Sequence, residues 1–395
     1  MSETQKHTKP NVPNLSGKRE QKELASSAER KTNVGRNVPN LRFPEFSGEW
    51  EKVRNEALFM VSKEKNRNGK YTSVLSASQS EGMVERSSLG IDIKYEEDSV
   101  LGYKVVHPGD YVIHLRSFQG GFAFSEKTGI CSPAYTILQP SSSLYYGFLK
   151  DYFTSTKFID SLKLVTYGIR DGKSISVKEW LKLFTCIPQS LEEQRKIHVF
   201  LSLLDQRIAI QNRVIERYES LIKAIIRRAF VTEKAVMYMK LGDIAPNIAS
   251  GKSKADAGTI TLYGSTGIIG TCSKAQYSGE LILVARVGSI GHIQMIESKG
   301  CGISDNTIII NAGPLNKYVY YFLKSFDFTK ITSGTTQPLI TGSSIKKIDI
   351  PILTEEHSQT LVQLLTSIDD YIVVEKAALN KQLDIKKLLL AKMFI

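Results

Sequence analysis

The chain has 395 residues, 42% hydrophobic and 23% charged, the balance of a globular protein long enough for two or three domains. Its 52 Lys and Arg against 40 Asp and Glu give a net charge of +12, which favours an anionic partner, nucleic acid first. The four cysteines, Cys131, Cys186, Cys272 and Cys301, show no paired spacing, so disulfides or a zinc site are not expected. Without the apolar core of a signal peptide or a run long enough to span a bilayer, a cytoplasmic chain with no membrane partner is expected.

Residues 1–37 are polar and predict a disordered tail. Within them Asn11-Val-Pro-Asn-Leu15 recurs as Asn37-Val-Pro-Asn-Leu41. Residues 38–188 read as a first globular domain. Short alternating runs at 111–115 and 134–138, punctuated by Gly, Pro and Ser clusters, predict strands joined by turns, and 145–164 predicts helix. Residues 189–231 then predict one long helix. Ser190 and Glu193 form a capping box. Ile197, Leu204 and Tyr218 share one heptad position, Leu201, Ile208, Ile215 and Ile222 the other, and only Gln211 interrupts the seam. So narrow a stripe is that of a coiled coil, and at 1.5 Å per residue the helix would run about 60 Å.

Residues 236–351 repeat the plan of the first domain. Trp50-x-Lys52-Val53-x-Asn55 is matched by Tyr238-x-Lys240-Leu241-x-Asp243, and the strand ending near Arg116 by the one ending near Arg286. Residues 352–395 repeat the long helix, with a stripe through Leu365, Ile368, Ile372 and Leu379 that then shifts to Leu383 and Leu390. Glu375 is the counterpart of Gln211. If the helices pair antiparallel, both polar residues should face each other near the middle and pin the register. The expected fold class is therefore α+β: two mixed α/β domains separated by two long helices in an antiparallel coiled coil, with tandem-repeat pseudo-two-fold symmetry. A period this long indicates two domains rather than a solenoid.

No catalytic or metal site is expected. Gly251-Lys252-Ser253 and Gly172-Lys173-Ser174 lack the upstream Gly of a P-loop. No Asn-Pro-Pro-Tyr motif of an adenine methyltransferase occurs, and the six histidines are scattered; His198, beside the seam, reads as structural. Nucleic-acid contacts have better candidates, because Lys and Arg supply affinity on phosphates while polar side chains read bases. In the first domain Lys63, Lys65 and Arg67 alternate with asparagines, either as phosphate ligands or as a solvated basic turn. Arg116 with Gln119, and Arg286 with Ser289, follow matching strands; a duplicated structural salt bridge is the other reading. Tyr263, Ser265 and Thr266 form a polar Gly-rich loop, and Lys252 and Lys254 could hold phosphates. Arg170 and Lys173, like Thr335, Thr336 and Gln337, precede the long helices and either touch DNA or dock each domain on the coil.

Pro188-x-x-Leu-Glu-Glu-Gln-Arg-Lys-Ile197 leading into Phe200-Leu-Ser-Leu-Leu-Asp205, its weaker copy after Pro351, and the lead-ins Leu41-Arg-Phe-Pro-Glu-Phe46 and Lys240-Leu-Gly-Asp243 resemble the specificity (S) subunits of type I restriction-modification systems. The resemblance extends from about Val38 to the C-terminus, and the duplicated order of the motifs is its specific part. It implies a non-catalytic subunit of a methyltransferase/endonuclease complex. Two recognition domains would each read half of a split site in double-stranded DNA. Two methyltransferase (M) subunits carrying S-adenosylmethionine would bind this chain, joined by motor (R) subunits using ATP and Mg. His357 stands where the first helix has Gln194, a departure bearing on whether the halves bind M alike. The rival readings are a coiled-coil scaffold whose globular ends bind proteins and an enzyme with an unfamiliar site.

Overall fold

The computed structural model describes residues 37–78, 81–89, 97–168, 173–232, 235–334 and 338–395. The expected N-terminal tail lies outside them but for its last residue, as do Arg170, Thr335, Thr336 and Gln337. Two long helices, α1 (Leu191–Thr232) and α2 (Glu355–Met393), dominate. At the start of α1 the Ser190 hydroxyl accepts the Glu193 amide at 3.3 Å, the first half of a capping box. Thr354 does the same for His357 before α2 at 3.4 Å. The chain forms two compact units, one holding the described residues through Ile208 with Lys381–Ile395, the other Ala209–Asn380. Each long helix therefore contributes one segment to each unit.

In the first unit the strands are β1 (Glu51–Arg54), β2 (Phe59–Val61), β3 (Leu75–Ser78), β4 (Gly82–Glu85), β5 (Lys104–Val106), β6 (Tyr111–Ile113), β7 (Ala123–Phe124), β8 (Gly129–Cys131), β9 (Thr136–Pro140), β10 (Thr166–Tyr167), β11 (Ser174–Ile175) and β12 (Phe184–Ile187). A four-stranded sheet runs β2-β9-β6-β7, and β1 pairs antiparallel with β12, tying the start of the domain to the strand that leads into α1. The core is aromatic. Phe153 lies 4.5 Å from Phe158 and 5.3 Å from Tyr111, and Phe122 lies 5.0 Å from Trp180. The end of α2 enters the same core through Met393 and Phe394, the latter stacked on Tyr152 at 5.0 Å. Residues 145–164 are not one helix: two 3₁₀ turns flank a short α-helix, Thr156–Ser161, that Ser155 caps afresh.

The second unit contains β13 (Met237–Lys240), β14 (Ala249–Ser250), β15 (Ile260–Gly264), β16 (Gly267–Cys272), β17 (Tyr277–Ala285), β18 (Ile293–Ile303), β19 (Thr307–Ile310) and β20 (Asp349–Ile352). β13 pairs with β20 as β1 does with β12, and a six-stranded sheet runs β14-β19-β17-β18-β15-β16. The helix Asn316–Ser325 turns Tyr318, Val319, Tyr321 and Leu323 into a core shared with Ile215, Ile222 and Ile226 of α1 and Leu361, Leu365 and Ile372 of α2. The α1 and α2 segments run antiparallel here: Gln211 Nε2 donates to Glu375 Oε2, Tyr218 meets Tyr371 at 4.8 Å, and Lys376 pairs with Glu219 at 2.6 Å.

Ile197, Leu201, Ile215, Ile222, Leu365 and Ile372 of the expected seam are buried; Leu204, Ile208, Tyr218, Ile368 and Leu379 are half-buried. The last part of the α2 stripe differs from expectation. Leu383 is 38% exposed, and the inward positions after Leu379 belong to Gln382 and Lys386, with Leu390 following. The three- and four-residue spacing continues through polar residues. Lys386 is held there by two carboxylates, Asp205 at 2.5 Å and Asp151 at 2.6 Å.

Candidate nucleic-acid interface

In the first unit Asn66 builds the basic loop. Its buried side chain donates to the carbonyl of Tyr71 at 2.8 Å and accepts the Tyr71 amide at 3.0 Å, closing the loop on itself. That leaves Lys63, Lys65, Arg67 and Lys70 exposed. Lys65 pairs across to Lys104, whose ammonium donates to the Tyr135 carbonyl. Tyr135 in turn lines a cleft of about 410 Å³ with Ala77, His114, Leu115, Arg116, Gln119 and Gly120. The loop thus adjoins the cleft holding Arg116 and Gln119.

Two contacts shape that cleft. The His114 amide donates to Ser117 Oγ at 2.8 Å, turning the chain into the short helix Ser117–Gly120. Gly121 then leaves it at φ +78, where a Cβ would sit 1.9 Å from the Phe153 carbonyl oxygen, so only glycine fits. Among the described residues the lining holds no acid, and the exposed Arg116 guanidinium makes no hydrogen bond or ion pair. Burial pushes the His114 pKa down and so favours a neutral imidazole, against the opposing effect of a hydrogen bond with the backbone at Gly121. β11 packs beside Ser117–Gly120, and the exposed Lys173 immediately precedes that strand.

In the second unit Ser289, Ser265, Tyr263 and Arg286 belong to one hydrogen-bonded neighbourhood. Ser289 O accepts the His292 amide at 2.9 Å, the His292 ring meets Ser265 O at 3.0 Å, and Gln294 donates to Gly264 O at 2.8 Å. Tyr263 O accepts the Ser304 amide at 2.9 Å, and Ser304 bridges to the buried Ser253, flanked by the exposed Lys252 and Lys254. Thr266 is exposed at the hairpin tip. Arg286 belongs to the same neighbourhood but is tethered: Nη1 donates to Ser250 Oγ at 3.0 Å and to Asp305 O at 3.4 Å.

The two arginines are therefore not equivalent. Arg286 is the first residue past β17, whereas Arg116 is the third past β6. Strand register makes the offset plain, since Ile113 faces Thr136 while Ala285 faces Thr307. The sequence assigns no contact to His114, His292, Gln294 or Ile268-Ile269; only the pairing of β15 with β16 and β18 brings the last four to the interface. The helix starts differ too. Glu193 is 2% exposed, forked by Arg42 at 2.7 and 2.8 Å with Trp50 Nε1 donating at 3.1 Å. Gln194 is buried and donates to the carbonyls of Ser143 and Pro188, whereas Glu356 and His357 are exposed. His198 lies against the rings of Tyr145 and Tyr146. Among the described residues no group of His, Cys, Asp and Glu could hold a metal ion, and no helix is long and apolar enough to cross a membrane.

Residues 233–384 match the family model of the type I restriction modification DNA specificity domain. The fold is similar to that of the type I restriction-modification S subunit from M. genitalium, with a TM-score of 0.58 and 16% identity over 91% of this chain and 99% of that one. A second similar chain comes from a structure of complex assembly and conformational transition in the type I R-M system, with a TM-score of 0.51 and 15% identity over 88% of this chain and 98% of that one. No curated protein matches. The resemblance carried by the duplicated motifs is thus borne out by the domain match and by the fold.

Proposed function

We propose that this chain, with a DNA specificity domain at residues 233–384 and the fold of type I S subunits, is the sequence-reading, non-catalytic subunit of a type I restriction-modification enzyme. Each unit would read one half of a bipartite site in double-stranded DNA. Methyltransferase and restriction subunits would be directed there, and S-adenosylmethionine, ATP and Mg would reside with those partners. A partner subunit would flip the target adenine from the stack to methylate it. The observation that carries the reading is the clustering of candidate Lys, Arg and polar side chains within each unit: exposed Arg116 and Gln119 line one cleft that the 63–70 loop adjoins, and exposed Lys252, Lys254 and Thr266 with half-buried Ser265 lie around the β15–β16 hairpin.

The arrangement divides the work chemically. An untethered arginine in an acid-free cleft suits bidentate recognition of guanine O6 and N7. The tethered Arg286 suits the role of organising the loop 304–306. Mapping methylated adenines in cells that carry this chain with its methyltransferase partner tests the proposal. A single bipartite motif is expected; methylation without a sequence motif refutes it. A coiled-coil scaffold would instead give a slope of log affinity against log salt near zero on the mapped duplex.

A further inference from the structure

Two of the most exposed large apolar side chains of the second unit are consecutive. Ile268 is 68% and Ile269 is 55% exposed, both on β16 next to the hairpin tip. A regular strand would send neighbours to opposite faces. Here the register slips: Tyr263 faces Ile268 but Leu262 faces Gly270, so Ile269 is the extra residue of a β-bulge. Gly270 absorbs the distortion at φ +154. Bulges re-aim side chains, and this one leaves both isoleucines in solvent.

The hairpin is also braced. Gln294 and His292 hold the carbonyls of Gly264 and Ser265 at 2.8 and 3.0 Å, and Ile269 lies over Gly264, where a Cβ would come within 2.6 Å of its Cγ2. A braced ribbon ending in two branched apolar side chains, with Lys252, Lys254 and Thr266 exposed in its neighbourhood, has the parts of a DNA wedge. Cations hold the phosphates on either side while the apolar residues replace the lost stacking between two base pairs. The cationic surroundings favour a duplex over a protein as the occupant.

We infer that Ile268 and Ile269 form a wedge that enters a base step of the half-site read by the second unit and kinks the duplex there. This rests on the DNA-reading function proposed above. The test uses the full chain and a duplex carrying the mapped motif, with 2-aminopurine placed in turn at each step of that half-site, together with gel mobility on circularly permuted fragments. The wild type is expected to raise fluorescence several-fold at one step and to bend the fragment. The double variant I268S/I269S should lose both signals and weaken specific binding about tenfold or more, while its salt slope stays unchanged. Ile269→Val should restore most of the fluorescence signal, which separates the wedge from a folding defect.

A wild-type complex that binds the motif with neither signal, or a serine variant that keeps both, overturns the wedge alone. A serine variant that bends DNA normally but no longer co-purifies with the methyltransferase overturns it in favour of a protein contact. Failure of the wild type to prefer the motif overturns the DNA-reading function itself, and the wedge with it.

Discussion

At the scale of single residues, the interface turns on which charges are already spent. Arg116 is exposed in a cleft with no acidic lining among the described residues, and Arg286 is bound to Ser250 and Asp305. Arg116→Ala is expected to lower discrimination at one base position by about 1–3 kcal/mol, and to change stability by less than about 0.5 kcal/mol because the side chain packs against little. Lysine should not rescue it, since an ammonium cannot reproduce the planar fork. Arg286→Ala should do the reverse, lowering the melting temperature by the loss of about 1.5–3 kcal/mol of charged hydrogen bonding without erasing one base preference. Methylation of a base-substituted site library together with thermal melts distinguishes them. The sequence could not foretell this split. Both arginines follow a strand near a polar turn, and the difference is a shift in strand register that only the pairing of β6 with β9 and of β17 with β19 reveals.

Two half-buried histidines add a pH dependence. Burial lowers the pKa of His114, and burial together with the nearby Lys150 lowers that of His198. Between their folded values and the ordinary histidine value of about 6.5, the unfolded chain binds more protons than the folded one. Their contribution to stability is therefore complete above about pH 6.5 and is lost as pH falls through the folded pKa values. Melting temperatures recorded from pH 7.5 down to 5.5 should decline, and the pair of substitutions His114→Gln and His198→Gln should flatten that decline. A slope that persists in the double variant would assign it to other groups.

At the scale of elements, the long helices were legible because several independent signals agree. A capping hydroxyl, acidic first turns and a narrow apolar stripe all demand helix, and the matching interruptions Gln211 and Glu375 do meet. The last turns of α2 were not legible. A pattern reader follows leucines, and Leu383 is the nearest one, yet the seam passes through Gln382 and Lys386. What places Lys386 inside is a partner 181 residues away in sequence, Asp205, together with Asp151 of the domain. Burial raises the Asp205 pKa and Asp151 raises it further, against the opposing effect of Lys386. For Lys386 the two carboxylates outweigh burial and raise its pKa. Removing the cation leaves two acids facing each other, Asp151 buried and Asp205 half-buried. Lys386→Met is expected to destabilise the protein by about 3–5 kcal/mol, whereas Leu383→Ala should stay within about 0.5 kcal/mol. Urea denaturation of both variants decides between them, and equal losses would mean that the leucine, not the lysine, faces inward.

At the scale of the whole molecule, the sequence repeat suggests cutting the chain where globular domain meets helix, at about 236 and 351, but packing draws the boundary elsewhere. The second compact unit is Ala209–Asn380. Its core takes Ile215, Ile222 and Ile226 from α1 and Leu361, Leu365 and Ile372 from α2, together with Tyr318, Val319 and Tyr321 from the domain. Helix segments and domain are therefore one packing problem. This was hidden in the sequence because a coiled-coil stripe explains each helix without any need for a third partner. Modularity of DNA reading should follow the packing boundary. Replacing residues 209–380 with the equivalent segment of a relative that reads a different site should change one half of the methylated motif and leave the other half intact. Replacing only 236–351 should change the same half but yield a less stable protein, because foreign residues must then fit Ile222 and Leu365. Each large-to-small mismatch in that core costs about 2–5 kcal/mol. Both chimeras, each expressed with the methyltransferase partner, can be compared by methylated-adenine mapping and by thermal melting. A change in both half-sites after either exchange would show that the units do not read independently. Equal stability of the two chimeras would place the module boundary at the domain edge rather than within the helices.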